Sequence, residues 1–159
     1  MPVNRAFIGR SYPAGMPFLV GREHIRQFAS AVNDDNPIYH DVDAAKAAGY
    51  ADVVAPPTFS VALVGWRSTV PMDDPELGLD FSRVVHGDQR FSLLRPIVAG
   101  DEIEVTGTIT NIRDLRGTDS VTIEYALVTT SGERLGAATS TLVVRGPDPE
   151  PGRDSEERA

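Results

Sequence analysis

The run from Pro56 to Trp66 (Pro-Pro-Thr-Phe-Ser-Val-Ala-Leu-Val-Gly-Trp) constrains the fold more than any other part of this chain. Proline suits the first turn of a helix, where the backbone N–H has no partner in any case. Phe59, Val61, Ala62, Leu63, Val64, Gly65 and Trp66 then cover nearly every side of the helix that follows. A helix that is apolar all round is a buried helix. The pattern predicts one from Pro56 to about Thr69, stopped by Pro71. Its longest unbroken apolar run, Val61 to Val64, is far too short to span a bilayer, so the protein itself must supply the cover.

The second half of the sequence supplies it. Ile103, Val105, Gly107 and Ile109 alternate with polar or small residues, and Val121, Ile123, Tyr125 and Leu127 do the same. Strands are expected at 103–111, 121–130 and 134–144, with another over Arg90–Leu94. The turn residues are Leu115 to Thr118 and Ser131-Gly132. Before the central helix, two shorter helices are expected. The first runs from Arg22 to Val32 with Ile25, Phe28, Ala29 and Val32 on one face, and Asn36-Pro37 stops it. The second starts on Asp41 or Asp43 as cap, runs through the alanines at 44, 45, 47 and 48, and ends at Gly49. One helix that needs cover on all sides and one antiparallel meander fit best if the sheet wraps around the helix, an α+β hot-dog arrangement. A single such sheet leaves an edge and an apolar face open, so a dimer is expected.

Composition narrows the function. At 159 residues the chain suits one domain, expected at 1–145. Residues 146–159 hold three prolines, five acidic residues and no bulky apolar side chain, which predicts a disordered acidic tail. Fifteen Lys and Arg against 23 Asp and Glu give −8, the wrong sign for broad nucleic-acid binding. With no cysteine, thiolate zinc sites and Cys nucleophiles are excluded, and the three histidines lack ligand spacing, so no metal is expected. The first residues carry no basic and apolar export pattern, and a cytoplasmic protein without membrane contact is expected.

The densest polar cluster is Asn33 to Asp41. It reads either as a capped loop between helices or as an acid/base pair, Asp34 with His40, able to move a proton to and from a substrate. The start of the central helix, Pro57-Thr58-Phe59, reads either as an ordinary helix start or as a donor site for a thioester carbonyl oxygen. Pro56 and Pro57 have no N–H, so Thr58 and Phe59 are its earliest donors. His24 and His86 read as surface or strand residues.

Three segments together carry a family resemblance: Asp34 to Asp41, Ala55 to Phe59, and Arg95-Pro96-Ile97-Val98-Ala99-Gly100-Asp101. Over about Arg5 to Arg145 the chain resembles the MaoC-like hot-dog dehydratases. The segment Val85 to Phe91 is similar to the branch whose members form one subunit of heterodimeric (3R)-hydroxyacyl-ACP dehydratases in bacterial fatty-acid elongation. The resemblance implies loss of water from a 3-hydroxyacyl thioester, or its reverse, without a cofactor. An Asp serves the hydroxyl, a His takes the proton beside the thioester, and a Gly N–H at the central helix holds the thioester oxygen.

Carried over by position, Asp34, Asn36 and Pro37 match the active family's Gly-Asp-x-Asn-Pro-aliphatic-His motif, while Asn33 replaces its Gly. Tyr39 occupies the His position, His40 comes one residue late, and Pro57 stands where the donor Gly is expected. A phenol with a pKa of about 10 is a poor base, and losing one oxyanion donor costs about 3–4 kcal/mol of transition-state stabilisation. The first reading is therefore an acyl-chain-binding subunit, contacting substrate at Asn36, Pro57, Thr58 and Phe59, that pairs with a catalytic hot-dog partner. The second is a self-sufficient homodimeric (R)-specific enoyl-CoA hydratase in which a bulge re-aims His40 to work with Asp34. The third is an acyl-thioester-binding protein without turnover. Either carrier, coenzyme A or an acyl carrier protein, is anionic, and Arg67, Arg83, Arg90 and Arg95 are the candidates to meet it.

Overall fold

The computed structural model describes residues 3–67, 73–114 and 117–145. Six strands form one antiparallel sheet: β1 (Ser11–Tyr12), β2 (Phe18–Leu19), β3 (Val84–Leu93), β4 (Glu102–Asp114), β5 (Asp119–Thr129) and β6 (Arg134–Val144). Their order is β1-β4-β5-β6-β3, and β2 also pairs with β4. Among the described residues three α-helices accompany them: α1 (Arg22–Ala31), α2 (Val42–Ala47) and α3 (Ser60–Arg67), the last packed against β4 and β6.

The alternation read from the sequence is the alternation of burial. Ile103, Val105 and Ile109 of β4 and Val121, Ile123, Tyr125 and Leu127 of β5 all face the core. A bulge between Ile109 and Asn111 then shifts the phase, so that Ile112 rather than Asn111 is buried. Gly136 of β6 lies at φ +146°, and a Cβ there would sit 2.2 Å from the Ser92 carbonyl oxygen. Only glycine lets β3 pair with β6 so closely at that end.

The hot-dog fold stands, with several differences of detail. The last helix starts at Ser60, not Pro56. Residues before Pro57 and Pro56 are pushed out of helical geometry, and neither proline donates, so 56–59 form a turn in which the Phe59 N–H meets the Pro56 carbonyl at 2.9 Å. Nor is α3 buried on all sides: Phe59, Ser60 and Leu63 are covered, but Val61 is 37% exposed, because one sheet covers only one side of a helix. The strand expected at Arg90 begins at Val84, since β6 is long enough to pair with the whole of it. The short strands β1 and β2 were not foreseen, two residues each being too few to show a period.

The two earlier helices fall where expected, α1 ending one residue early at Ala31. Asp41 Oδ1 accepts the Ala44 N–H at 2.7 Å, and Gly49 closes α2 at φ +93°. Helix α1 buries Ile25 and Ala29, while Val32, placed by the sequence on its inner face, lies beyond its end and is 47% exposed. The expected acidic tail at 146–159 and the turn residues Leu115 and Arg116 lie outside the described residues, as does the expected end of the central helix at Thr69.

Candidate active site

The chain leaves α1 through Asn33, the only described non-glycine residue at positive φ (+55°). Asn tolerates this left-handed geometry because its short polar side chain bonds locally. The turn aims Asp34 to Asp41 back along α1, and Arg26 Nε of α1 holds the His40 carbonyl at 2.8 Å.

Within this loop, Asp34 and His40 are brought together through the main chain. His40 Nε2 donates to the Asp34 backbone oxygen at 2.9 Å. The Asp34 carboxylate is turned elsewhere, its Oδ1 accepting the Asn36 N–H at 3.2 Å. Asn36 in turn caps the short 3-10 turn Pro37–Tyr39 by accepting the Ile38 N–H. The residue facing the cleft is Tyr39.

That cleft has a volume of about 330 Å³ and is lined by Tyr39, Tyr50, Ala55, Pro57, Leu93, Leu94, Arg95 and Pro96. Its walls are mostly apolar, with two phenols and one guanidinium as polar groups. Burial, and after it the charge of Asp34 and the neighbouring Tyr50, raise the Tyr39 pKa above the ordinary phenol value of 10.0. At neutral pH the phenol therefore keeps its proton and offers no base.

The residues expected to touch substrate separate. Pro57 lines the cleft. Thr58 is exposed beside it, and Asn36 serves as a cap. Phe59 is fully buried, edge-on to Phe28 at 5.4 Å, and its N–H is spent on Pro56. Of the two donors expected at this helix start, one is thus used internally. His24 and His86 both make local bonds, His24 Nδ1 accepting from the Gly21 N–H and His86 Nε2 reaching the Asp88 carbonyl.

Two of the four candidate arginines, Arg90 and Arg95, are held in ion pairs. Arg90 pairs with Asp88 at 2.9 Å, and Arg95 is held by Asp101 and Glu133, each at 2.8 Å. The Arg67 side chain lies outside the described ones. Sequence reasoning missed Tyr50, Leu93 and Leu94 as cleft residues. Their signal was faint: two leucines in succession at a strand end, Leu94 being 71% exposed.

The profile of the FAS1-like dehydratase domain region matches residues 6–137. A UPF0336 protein of Parafrankia sp. (strain EAN1pec) is 54% identical over 149 residues, 94% of this chain and 99% of that protein. The chain belongs to the MaoC-like hot-dog dehydratase family. A solved MaoC-like dehydratase is 33% identical with a TM-score of 0.81, covering 90% of this chain, which spans 43% of that longer protein. The C-terminally truncated HadBC (3R-hydroxyacyl-ACP dehydratase) complex of Mycobacterium tuberculosis is 31% identical with a TM-score of 0.75, covering 86% of this chain and 96% of that one. Tyr39 and Pro57, the two positions at which the sequence resemblance expects a base and an N–H donor, both line the cleft.

Proposed function

We propose that this chain is the acyl-chain-binding, non-catalytic subunit of a (3R)-3-hydroxyacyl-thioester dehydratase in fatty-acid elongation, paired with a catalytic hot-dog subunit. The observation that carries the reading is the pairing of Tyr39 and Pro57 on the walls of one apolar cleft. Dehydration needs a base at the carbon beside the thioester and a donor for the thioester oxygen as charge develops on it. A phenol held protonated supplies no base, and a proline supplies no N–H. His40 does not replace Tyr39, because its ring is tied to the Asp34 backbone at 2.9 Å.

What remains is a place to hold the chain of the substrate. Ala55, Pro57, Leu93, Leu94 and Pro96 offer apolar surface of the kind a hydrocarbon covers. The substrate head, a phosphopantetheine thioester on coenzyme A or an acyl carrier protein, then lies with the partner. The free outer edge of β3 and the exposed Val61 of α3 are the surfaces such a partner would complete. The HadBC relative is itself a (3R)-hydroxyacyl-ACP dehydratase complex, which supports the pairing.

The test is hydration of a trans-2-enoyl thioester by the purified chain, alone and mixed with a catalytic MaoC-like subunit. No turnover alone, with turnover in the mixture that survives Asp34→Asn and His40→Ala, is the expected result. Turnover by the chain alone that both substitutions abolish would instead make it a self-sufficient hydratase. Acyl-thioester binding with no turnover in either setting would leave binding as its role.

A further inference from the structure

Arg95 stands in the cleft wall, yet its charge is paired within the protein, with Asp101 and Glu133. All five N–H donors of its guanidinium have protein acceptors. Nε meets Glu133 Oε1 at 2.8 Å and Nη2 meets Glu133 Oε2 at 2.8 Å. Nη1 and Nη2 meet Asp101 Oδ2 and Oδ1 at 2.8 and 2.9 Å, and Nη1 also meets the Pro96 carbonyl at 2.9 Å. A guanidinium has five donors in a fixed fork, so none is left for a phosphate. These bonds, those to Glu133 first, push the Arg95 pKa up, and the same contact holds Glu133 below the usual carboxylate range.

The knot ties three elements together: the end of β3, the connection to β4 and the β5–β6 turn. Asp101 Oδ2 also accepts the Val98 N–H at 2.9 Å, which fixes the connecting segment between them. That segment is stitched to residues 53–55, with Ala55 N–H to the Ile97 carbonyl at 2.8 Å and Ala99 N–H to the Val53 carbonyl at 3.0 Å. Residues 53–55 reach the other wall. The Val54 N–H meets the Ile38 carbonyl at 3.0 Å, one residue before Tyr39, and Pro57 follows two residues after Ala55.

We infer that Arg95 is a positioning residue of the cleft: through the 97–99 segment it sets the separation of Tyr39 and Pro57 from the Leu93–Pro96 wall, and so the range of acyl lengths accepted. This rests on the acyl-binding role proposed above. Arg95 lines the cleft while its guanidinium is spent on the protein. Losing the head frees the connecting segment without emptying the wall.

The test uses the full-length chain with Arg95→Met, which keeps the stem, and Arg95→Lys, which keeps the charge but not the fork. Octanoyl-CoA and hexadecanoyl-CoA are titrated calorimetrically, and amide exchange is followed at Val54, Ala55 and Ala99 with Ile123 of β5 as reference. In Arg95→Met, protection at the first three amides is expected to fall about tenfold while Ile123 is unchanged, and the ratio of the two affinities to shift by about tenfold. Arg95→Lys is expected to fall between this variant and the wild type. Unchanged exchange and an unchanged affinity ratio in Arg95→Met overturn the inference, as does equal loss of protection at all four amides, which is mere destabilisation. Wild-type chain that binds neither thioester overturns the acyl-binding role itself, whatever the exchange shows.

Discussion

His40 and Asp34 meet through the wrong atoms for catalysis: the imidazole Nε2 lies 2.9 Å from the Asp34 backbone oxygen, while the Asp34 carboxylate accepts the amide of Asn36 at 3.2 Å. Both polar groups are engaged in shaping the loop. The bulge needed to bring His40 to the position of Tyr39 is absent, for Pro37–Tyr39 form a regular 3-10 turn capped by Asn36.

Removing these side chains should therefore affect folding more than turnover. In a complex with a catalytic subunit, Asp34→Asn and His40→Ala are each expected to change enoyl-thioester hydration by less than about threefold. His40→Ala loses one half-buried hydrogen bond, about 1 kcal/mol, which lowers the melting temperature by about 2–4 °C. Asp34→Asn keeps an oxygen for the Asn36 amide and should melt close to the wild type. A hundredfold loss of rate with an unchanged melting temperature would place catalysis in this chain after all.

The loop also shows what a sequence reveals and where it stops. Asn33, Asp34, Asn36 and Pro37 mark a tight turn by chemistry alone, and Asp41 marks a helix start, because each of these residues acts on its own backbone neighbours. Strand alternation in β4 and β5 was legible for the same reason, a period of two being local. The two-residue strands β1 and β2 carry no period, and their pairing with β4 is set by tertiary contact. The cleft was half legible. Tyr39 and Pro57 stood out by position, whereas Leu93 and Leu94 join them only because β3 returns beside β6, a relationship no local pattern encodes. Arg95 was read as a candidate for an anionic carrier because a sequence shows a charge but not the two carboxylates that consume it.

Gly136 offers a test of that return. Its partner in the register is Leu93, a cleft residue, and a Cβ at Gly136 would meet Ser92 O at 2.2 Å and Leu93 Cα at 2.9 Å. Both atoms are backbone and cannot swing aside. Gly136→Ala is expected to lower stability by roughly 3 kcal/mol in urea unfolding, at the upper end of overpacking costs. Gly132→Ala, with nothing within 4 Å of its Cβ, is strained only by its φ of +91° and should cost about 1 kcal/mol. Equal losses at the two sites would mean that the close approach of β3 and β6 contributes little.

Tyr125 predicts the alkaline limit of the fold. Burial in the sheet's inner face pushes its pKa up to about 12 from 10.0. The folded state thus keeps a proton that the unfolded chain releases, so the contribution is fully present below pH 10 and is lost as pH rises through about 12. Two units correspond to about 3 kcal/mol at most. Stability measured from pH 9 to 12 should fall steeply in the wild type and less in Tyr125→Phe, with the two nearly equal at pH 7. Parallel curves for the two proteins would assign the alkaline loss to other groups.

If Tyr39 and Pro57 account for the non-catalytic role proposed for this chain, undoing both should matter and undoing either should not. General-base catalysis is worth roughly 10²–10⁴ in rate, and an oxyanion donor about 10²–10³. Groups that act as a unit give little until both are present. Tyr39→His returns an imidazole to the cleft wall, and Pro57→Gly returns an N–H to the turn before α3. Each single variant, assayed alone on a trans-2-enoyl thioester, is expected to stay at the background of the wild type. The double variant is expected to rise at least about tenfold above it, well short of a native hydratase, because Asp34 remains tied to Asn36. If the double variant stays silent while still binding acyl thioester, the direction of Asp34 rather than the two wall residues limits turnover.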